Sequence, residues 1–126
     1  MPFLLVFLGA GIGGVARHGV NVAAMRFFGV SFPVGTLFVN VSGSLVMGLL
    51  VGWLALKAGA GWTQGMRLFL ATGVLGGYTT FSTFSLDVAT LVERGATPTA
   101  IFYVVVSVLG SIAAVFLGLA LVRALS

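Results

Sequence analysis

Gly76 to Ser85 reads Gly-Gly-Tyr-Thr-Thr-Phe-Ser-Thr-Phe-Ser, a hydroxyl-crowded run inside an otherwise apolar segment long enough to cross a membrane. Paired glycines and successive Thr and Ser form helix poorly, because glycine has high backbone entropy and the hydroxyls compete for nearby backbone groups. The spacing therefore predicts a helix break. At membrane depth a break releases carbonyls and amides, which is tolerated only where protein buries them or a wet cavity or an ion satisfies them. The chemistry implied is ion binding. Phe81 and Phe84 stand three apart and would share a face if helix resumes, and an aromatic ring is electropositive at its edge, so such an edge can face a small anion without a full charge.

Catalysis has little to work with. The only acids are Asp87 and Glu93, the only histidine is His18, and there is no cysteine. Gly9-Ala10-Gly11-Ile12-Gly13-Gly14 fits the dinucleotide glycine pattern, but no acid lies about 20 residues on and the run sits inside an apolar span. His18 reads as a packed or headgroup-facing ring, and Glu93-Arg94 as a solvated helix end. Arg17 and Asp87 are different, because a charge at the bilayer centre costs on the order of 3 kcal/mol on insertion scales. Each needs water or a partner. Arg17 either snorkels to the near interface or faces an aqueous vestibule where it concentrates anions, and Asp87 could pair with a basic group there.

These residues need elements to carry them. The chain has 126 residues, 60% hydrophobic and 6% charged, a composition foreign to ordinary soluble domains. A bilayer core is roughly 30 Å thick and takes about 20 helical residues to span. The predicted class is an all-α integral membrane protein, one domain over residues 1–126 with four spans in an antiparallel bundle. The first runs from Phe3 to Phe28. A turn from Gly29 to Phe32 leads to Pro33, placed in the first turn of a second span ending near Leu56. Lys57 to Trp62 forms a short loop, with Trp53 and Trp62 suited to the headgroup zone. The third span covers Met66 to Val92 and holds the break. Gly95 reads as a C-cap, and Thr97 and Pro98 as N-cap and first turn of a fourth span ending near Arg123. No basic n-region precedes the first apolar run, so a removed signal peptide is not expected.

Small and polar residues recur every four positions: Gly9, Gly13, Arg17 and Asn21; Thr36, Asn40, Ser44, Gly48 and Gly52; Tyr103, Ser107 and Ser111. Such stripes line packed faces. Packing accounts for the glycines, whereas Asn40 and the hydroxyl ladder exceed what packing requires. The six basic residues are scattered singly, so the net charge of +4 makes no nucleic-acid face. Lys57, Arg67 and Arg123 on one side nearly balance Arg26 and Arg94 on the other, with Arg17 deeper. A chain so balanced has little reason to choose one orientation, and an antiparallel homodimer of inverted copies becomes possible.

Taken together, Gly13-Gly14-x-x-Arg17, Gly35-Thr36-Leu37-x-Val39-Asn40, the Gly76–Ser85 block and the hydroxyl stripe of the fourth span resemble the Fluc, or CrcB, fluoride channels of bacteria along the whole chain. The third block is the most specific. The resemblance implies a dual-topology homodimer in the bacterial inner membrane, surrounded by lipid, with two antiparallel fluoride pores and a structural sodium ion between the broken third helices. It implies Gly76 and Thr79 as sodium carbonyl donors from both subunits, Phe81 and Phe84 as ring edges on the fluoride path, and Asn40 as an amide donor. It further implies Tyr103, Ser107 and Ser111 as the polar track, and Arg17 near a vestibule. The implied role is passive fluoride export conferring fluoride resistance, without enzymatic activity. The rival is a small dual-topology multidrug exporter, whose proton coupling needs an embedded carboxylate. The first span has none, so Asp87 would serve. A purely structural membrane subunit would explain the glycine stripes but not the hydroxyls and phenylalanines of the third span.

Overall fold

A computed structural model of the chain describes residues 1–57 and 59–126, and its regular elements are all helical. Helix α1, Pro2–Phe28, carries a proline in its first turn, where the missing N–H breaks no helical hydrogen bond. It stops at Gly29, whose φ of 76° is a left-handed conformation open to glycine. Helix α2 covers Val34–Leu56, with Pro33 one residue before it rather than inside its first turn. In the loop expected from Lys57 to Trp62, Ala58 lies outside the described residues. Trp53 and Trp62 pack together across that connection, ring centroids 5.5 Å apart.

Three consecutive helical pieces follow: Thr63–Met66, Arg67–Leu75 and Gly76–Tyr78. We label this run α3. Its middle piece is π-helical, with wider turns, as in the bond from the Gly76 N–H to the Ala71 carbonyl. At Thr79 the backbone becomes extended, with φ −83° and ψ 158°. Helix α4 begins at Ser82 and covers Ser82–Glu93, so residues 79–81 lie outside both helices. Gly95, φ 82°, closes α4: its N–H reaches the Val92 carbonyl at 3.0 Å and the Ala96 N–H reaches Leu91 at 2.9 Å. This is the paired bonding of a Schellman ending. Helix α5, Thr97–Leu125, has Ala96 at its N-cap, one residue before the expected Thr97.

Two glycine seams set the packing. A Cβ on Gly13 would fall on the Val74 carbonyl, and one on Gly77 would fall on that of Ala10, so α1 and α3 meet backbone to backbone. Gly48 and Gly118 do the same for α2 and α5. These are the close approaches that small-residue stripes permit. A compact cluster of Phe84, Leu91, Ala100 and Tyr103 then ties α4 to α5, with Phe32 from the α1–α2 turn packed on it. Phe3, Phe7, Phe38, Phe102 and Phe116 face outward. Helices α1, α2 and α5 are each long and apolar enough to cross a membrane.

Candidate functional site

Where α3 ends, its last carbonyls lose their helical partners. Side chains from two other helices take some of them. Arg17 of α1 donates from Nε to the Gly77 carbonyl at 3.0 Å. Asn40 of α2 binds Thr80 at both ends of its amide: Nδ2 donates to the Thr80 carbonyl at 3.0 Å, and Oδ1 accepts the Thr80 N–H at 2.8 Å. Thr79 turns back on the helix, its N–H and its hydroxyl both donating to the Leu75 carbonyl at 3.0 Å. Thr80 Oγ1 accepts the Thr83 N–H at 3.2 Å and so starts α4. Among the described residues, no donor reaches the carbonyls of Gly76, Tyr78 or Thr79.

The same extended stretch forms one wall of a cleft of about 260 Å³, lined by Asn40, Ser44, Thr79, Thr80, Phe81, Phe84, Ser107, Val108, Ser111 and Ile112. Five of the expected anion-path residues, Asn40, Phe81, Phe84, Ser107 and Ser111, thus share one space. The Phe81 and Phe84 rings lie 5.5 Å apart, centroid to centroid, at 46°. Their surroundings differ sharply: Phe84 is 8% exposed and Phe81 76%. Ser107 Oγ is buried and has no hydrogen-bond partner among the described residues, a condition that costs a buried hydroxyl about 1–3 kcal/mol. One of the two N–H bonds of Asn40 Nδ2 is used by Thr80, which leaves the other for a ligand. The cleft therefore gathers a hydroxyl in want of a partner, an amide N–H, a second serine and two aromatic rings, with no acid among its lining residues.

Tyr103 belongs to the same stripe but not to the cleft lining. It is fully buried behind Phe84, rings 5.1 Å apart, and its hydroxyl donates to Asp87 Oδ2 at 3.0 Å. Asp87, which the sequence suggested could pair with a basic group, has this phenol for a partner. The carboxylate lines a separate cleft of about 270 Å³ with Asn21, Thr36 and Thr83. Gly76 lies on the outer surface of the chain, while Thr79 is half-buried at the cleft wall. Arg17 has the Gly77 carbonyl as a partner for its Nε. Sequence reasoning missed Thr80 and Ser44 as cleft residues. Thr80 was within the singled-out motif, and Ser44 sits one turn beyond Asn40 on the same stripe.

Long apolar helices, outward-facing phenylalanines and a largely apolar cleft studded with hydroxyls and an amide against an interrupted backbone define a multi-pass membrane protein. The chain belongs to the CrcB family: the family model described as "CrcB-like protein, Camphor Resistance (CrcB)" matches residues 4–119. It is 56% identical over 126 residues to the fluoride-specific ion channel FluC of Rhodopseudomonas palustris strain BisB5, covering all of both chains. It is 58% identical over 123 residues to the protein of that name from Beijerinckia indica, covering 98% of this chain and 97% of that one. With the Hyphomonas neptunium protein of the same name it shares 58% over 121 residues, 96% of this chain and 94% of the other.

Proposed function

We propose that the chain is a fluoride channel, a non-enzymatic pore for passive export of the anion. The observation that carries this reading is the cleft uniting Asn40, Phe81, Phe84, Ser107 and Ser111, with Ser107 Oγ buried and unpartnered. Fluoride is small and strongly hydrated, so a selective path must replace its water with donors while still letting it leave. The free Asn40 N–H, the Ser107 and Ser111 hydroxyls and the edges of Phe81 and Phe84 supply weak, repeated contacts of that kind. Tyr103 extends the polar track behind Phe84. The names borne by relatives of more than half identity point to the same ion.

The interruption at residues 79–81 is read as a break at membrane depth within the third of four spans. The carbonyls of Gly76 and Thr79 lack donors there and are hard oxygen ligands, the donor chemistry a small hard cation takes. They fit a sodium ion, which when bound would supply fixed positive charge and satisfy both carbonyl oxygens by coordination. One chain offers half of such a set. Gly76 and Phe81 lie on the outside of the lone chain, where an inverted second copy would cover them and supply the other half, giving an antiparallel dual-topology homodimer with two pores in the lipid of the bacterial inner membrane. The whole of residues 1–126 forms this single channel domain.

Asp87 favours the channel over a proton-coupled drug exporter, because it is engaged by Tyr103 and lines a different cleft from the phenylalanine pair. The test is fluoride efflux from liposomes, measured with and without a proton gradient. A channel releases fluoride in both conditions. Efflux only under a proton gradient would overturn the proposal in favour of the carrier.

A further inference from the structure

The interruption contains a residue whose role differs from that of the pore lining. A helix that stops at Tyr78 releases its terminal carbonyls together. The Leu75 carbonyl is taken by Thr79 twice, the Thr80 carbonyl by Asn40, and the Phe81 carbonyl by the Ser85 N–H at 2.8 Å and the Ser85 hydroxyl at 3.0 Å. Between them, the Gly77 carbonyl is held by a cationic side chain from another helix, Arg17 Nε at 3.0 Å. Residue 77 cannot be steadied by a side chain of its own. A Cβ there would strike the Ala10 carbonyl, so the position is confined to glycine, which brings no side-chain polar group of its own to the carbonyl.

We infer that Arg17 is a positioning residue for the cation: by occupying the Gly77 carbonyl it fixes the glycine pair and, of the carbonyls without donors at Gly76, Tyr78 and Thr79, holds those of Gly76 and Thr79 for the ion. This rests on the sodium reading above. An arginine suits the task because its guanidinium stays charged and its Nε donates along a fixed plane partway up the side chain, where the terminal ammonium of lysine does not reach in the same way. Arg17 comes from the segment whose glycine seam packs directly on α3, so the brace and the backbone it holds move as one body. The inference assigns Arg17 a structural linkage to the cation in place of a purely electrostatic vestibule role.

The experiment uses the full chain in detergent. Thermal unfolding is followed while sodium chloride replaces N-methylglucamine chloride at constant ionic strength, and the rise of stability with sodium, fitted to the logarithm of one plus concentration over Kd, yields the sodium half-point, the concentration at which half of the folded protein holds the ion. Arg17→Met keeps bulk and removes the donor; Arg17→Lys keeps the charge. Arg17→Met is expected to raise the sodium half-point about tenfold, equivalent to about 1.4 kcal/mol, with Arg17→Lys falling between it and the wild type. A general loss of packing would lower the unfolding temperature at every sodium concentration and leave the half-point where it was. A folded Arg17→Met protein with the wild-type half-point overturns the inference alone, leaving the sodium reading intact. A wild-type protein insensitive to sodium overturns both. If Arg17→Met does not fold, Arg17→Lys decides: a raised half-point supports the brace, and an unchanged one overturns it.

Discussion

Phe81 and Phe84 face the same cleft from opposite conditions of burial, and that contrast separates a pore role from a packing role. Phe84 is 8% exposed and packs on Tyr103 at 5.1 Å within the cluster joining α4 to α5. Replacing such a residue by alanine costs about 3–5 kcal/mol, enough to confuse lost flux with lost fold. Isoleucine keeps apolar bulk and removes the ring edge. A swap of this kind usually costs less than about 1.5 kcal/mol, so Phe84→Ile is expected to lower the unfolding temperature modestly. Phe81 is 76% exposed in the single chain and its nearest ring is Phe84, 5.5 Å away. Phe81→Ile is therefore expected to change the stability of the protomer by no more than about 0.5 kcal/mol. If both rings offer edges to the anion, fluoride efflux from liposomes falls sharply in both variants despite their different stability losses. Phe116→Ile, on the exposed face of α5, is the control and keeps wild-type flux. Wild-type flux in well-folded Phe81→Ile and Phe84→Ile proteins would refute the ring-edge argument and return both residues to packing.

Gly13→Ala should destabilise by about 1–3 kcal/mol, since its Cβ falls on the Val74 carbonyl and must push α1 from α3; the neighbouring Gly14→Ala meets no atom within 4 Å and should gain about 0.5–1 kcal/mol from helix propensity, both read from detergent melts. Tyr103→Phe takes the hydroxyl from Asp87 and should cost about 1–3 kcal/mol by the same measurement; an unchanged melt would mean that Asp87 finds water in the adjoining cleft. Cysteines placed at either terminus should label from both sides of the membrane in intact cells, as expected of a chain whose basic residues balance. Labelling from one side only would contradict dual topology.

What was legible in the sequence was whatever depends on local pattern. Gly13 and Gly48 belong to the four-residue stripes and meet the backbone of Val74 and Val115, whereas Gly77 and Gly118, which make the matching approaches, lay outside them. Gly29 and Gly95 announced their turns because only a left-handed residue ends those helices as observed. Phe81, Phe84, Asn40, Ser107 and Ser111, which the family resemblance and not local pattern set on one path, line one cleft. The partners of polar groups were not legible. Asn40 and Thr80 are 40 positions apart, and Arg17 and Gly77 are 60 apart; nothing local in either segment says which carbonyl an amide or guanidinium will reach. The Tyr103 stripe also turns along its helix. Four residues advance an α-helix by about 400°, so a four-residue ladder drifts about 40° per step. Over two steps, from Ser111 to Tyr103, that rotation carries the tyrosine out of the cleft and behind Phe84. The π-helical turns of Arg67–Leu75 also escaped notice, because their composition is that of any apolar helix.

The central claim is selective, passive passage of fluoride, and anion selectivity measured as a reversal potential tests it most directly. Purified protein in a planar bilayer, with unequal fluoride and equal chloride on the two sides, is predicted to carry current that reverses near the fluoride equilibrium potential. Reversal near zero, with chloride carrying a comparable share of the current, would contradict the account.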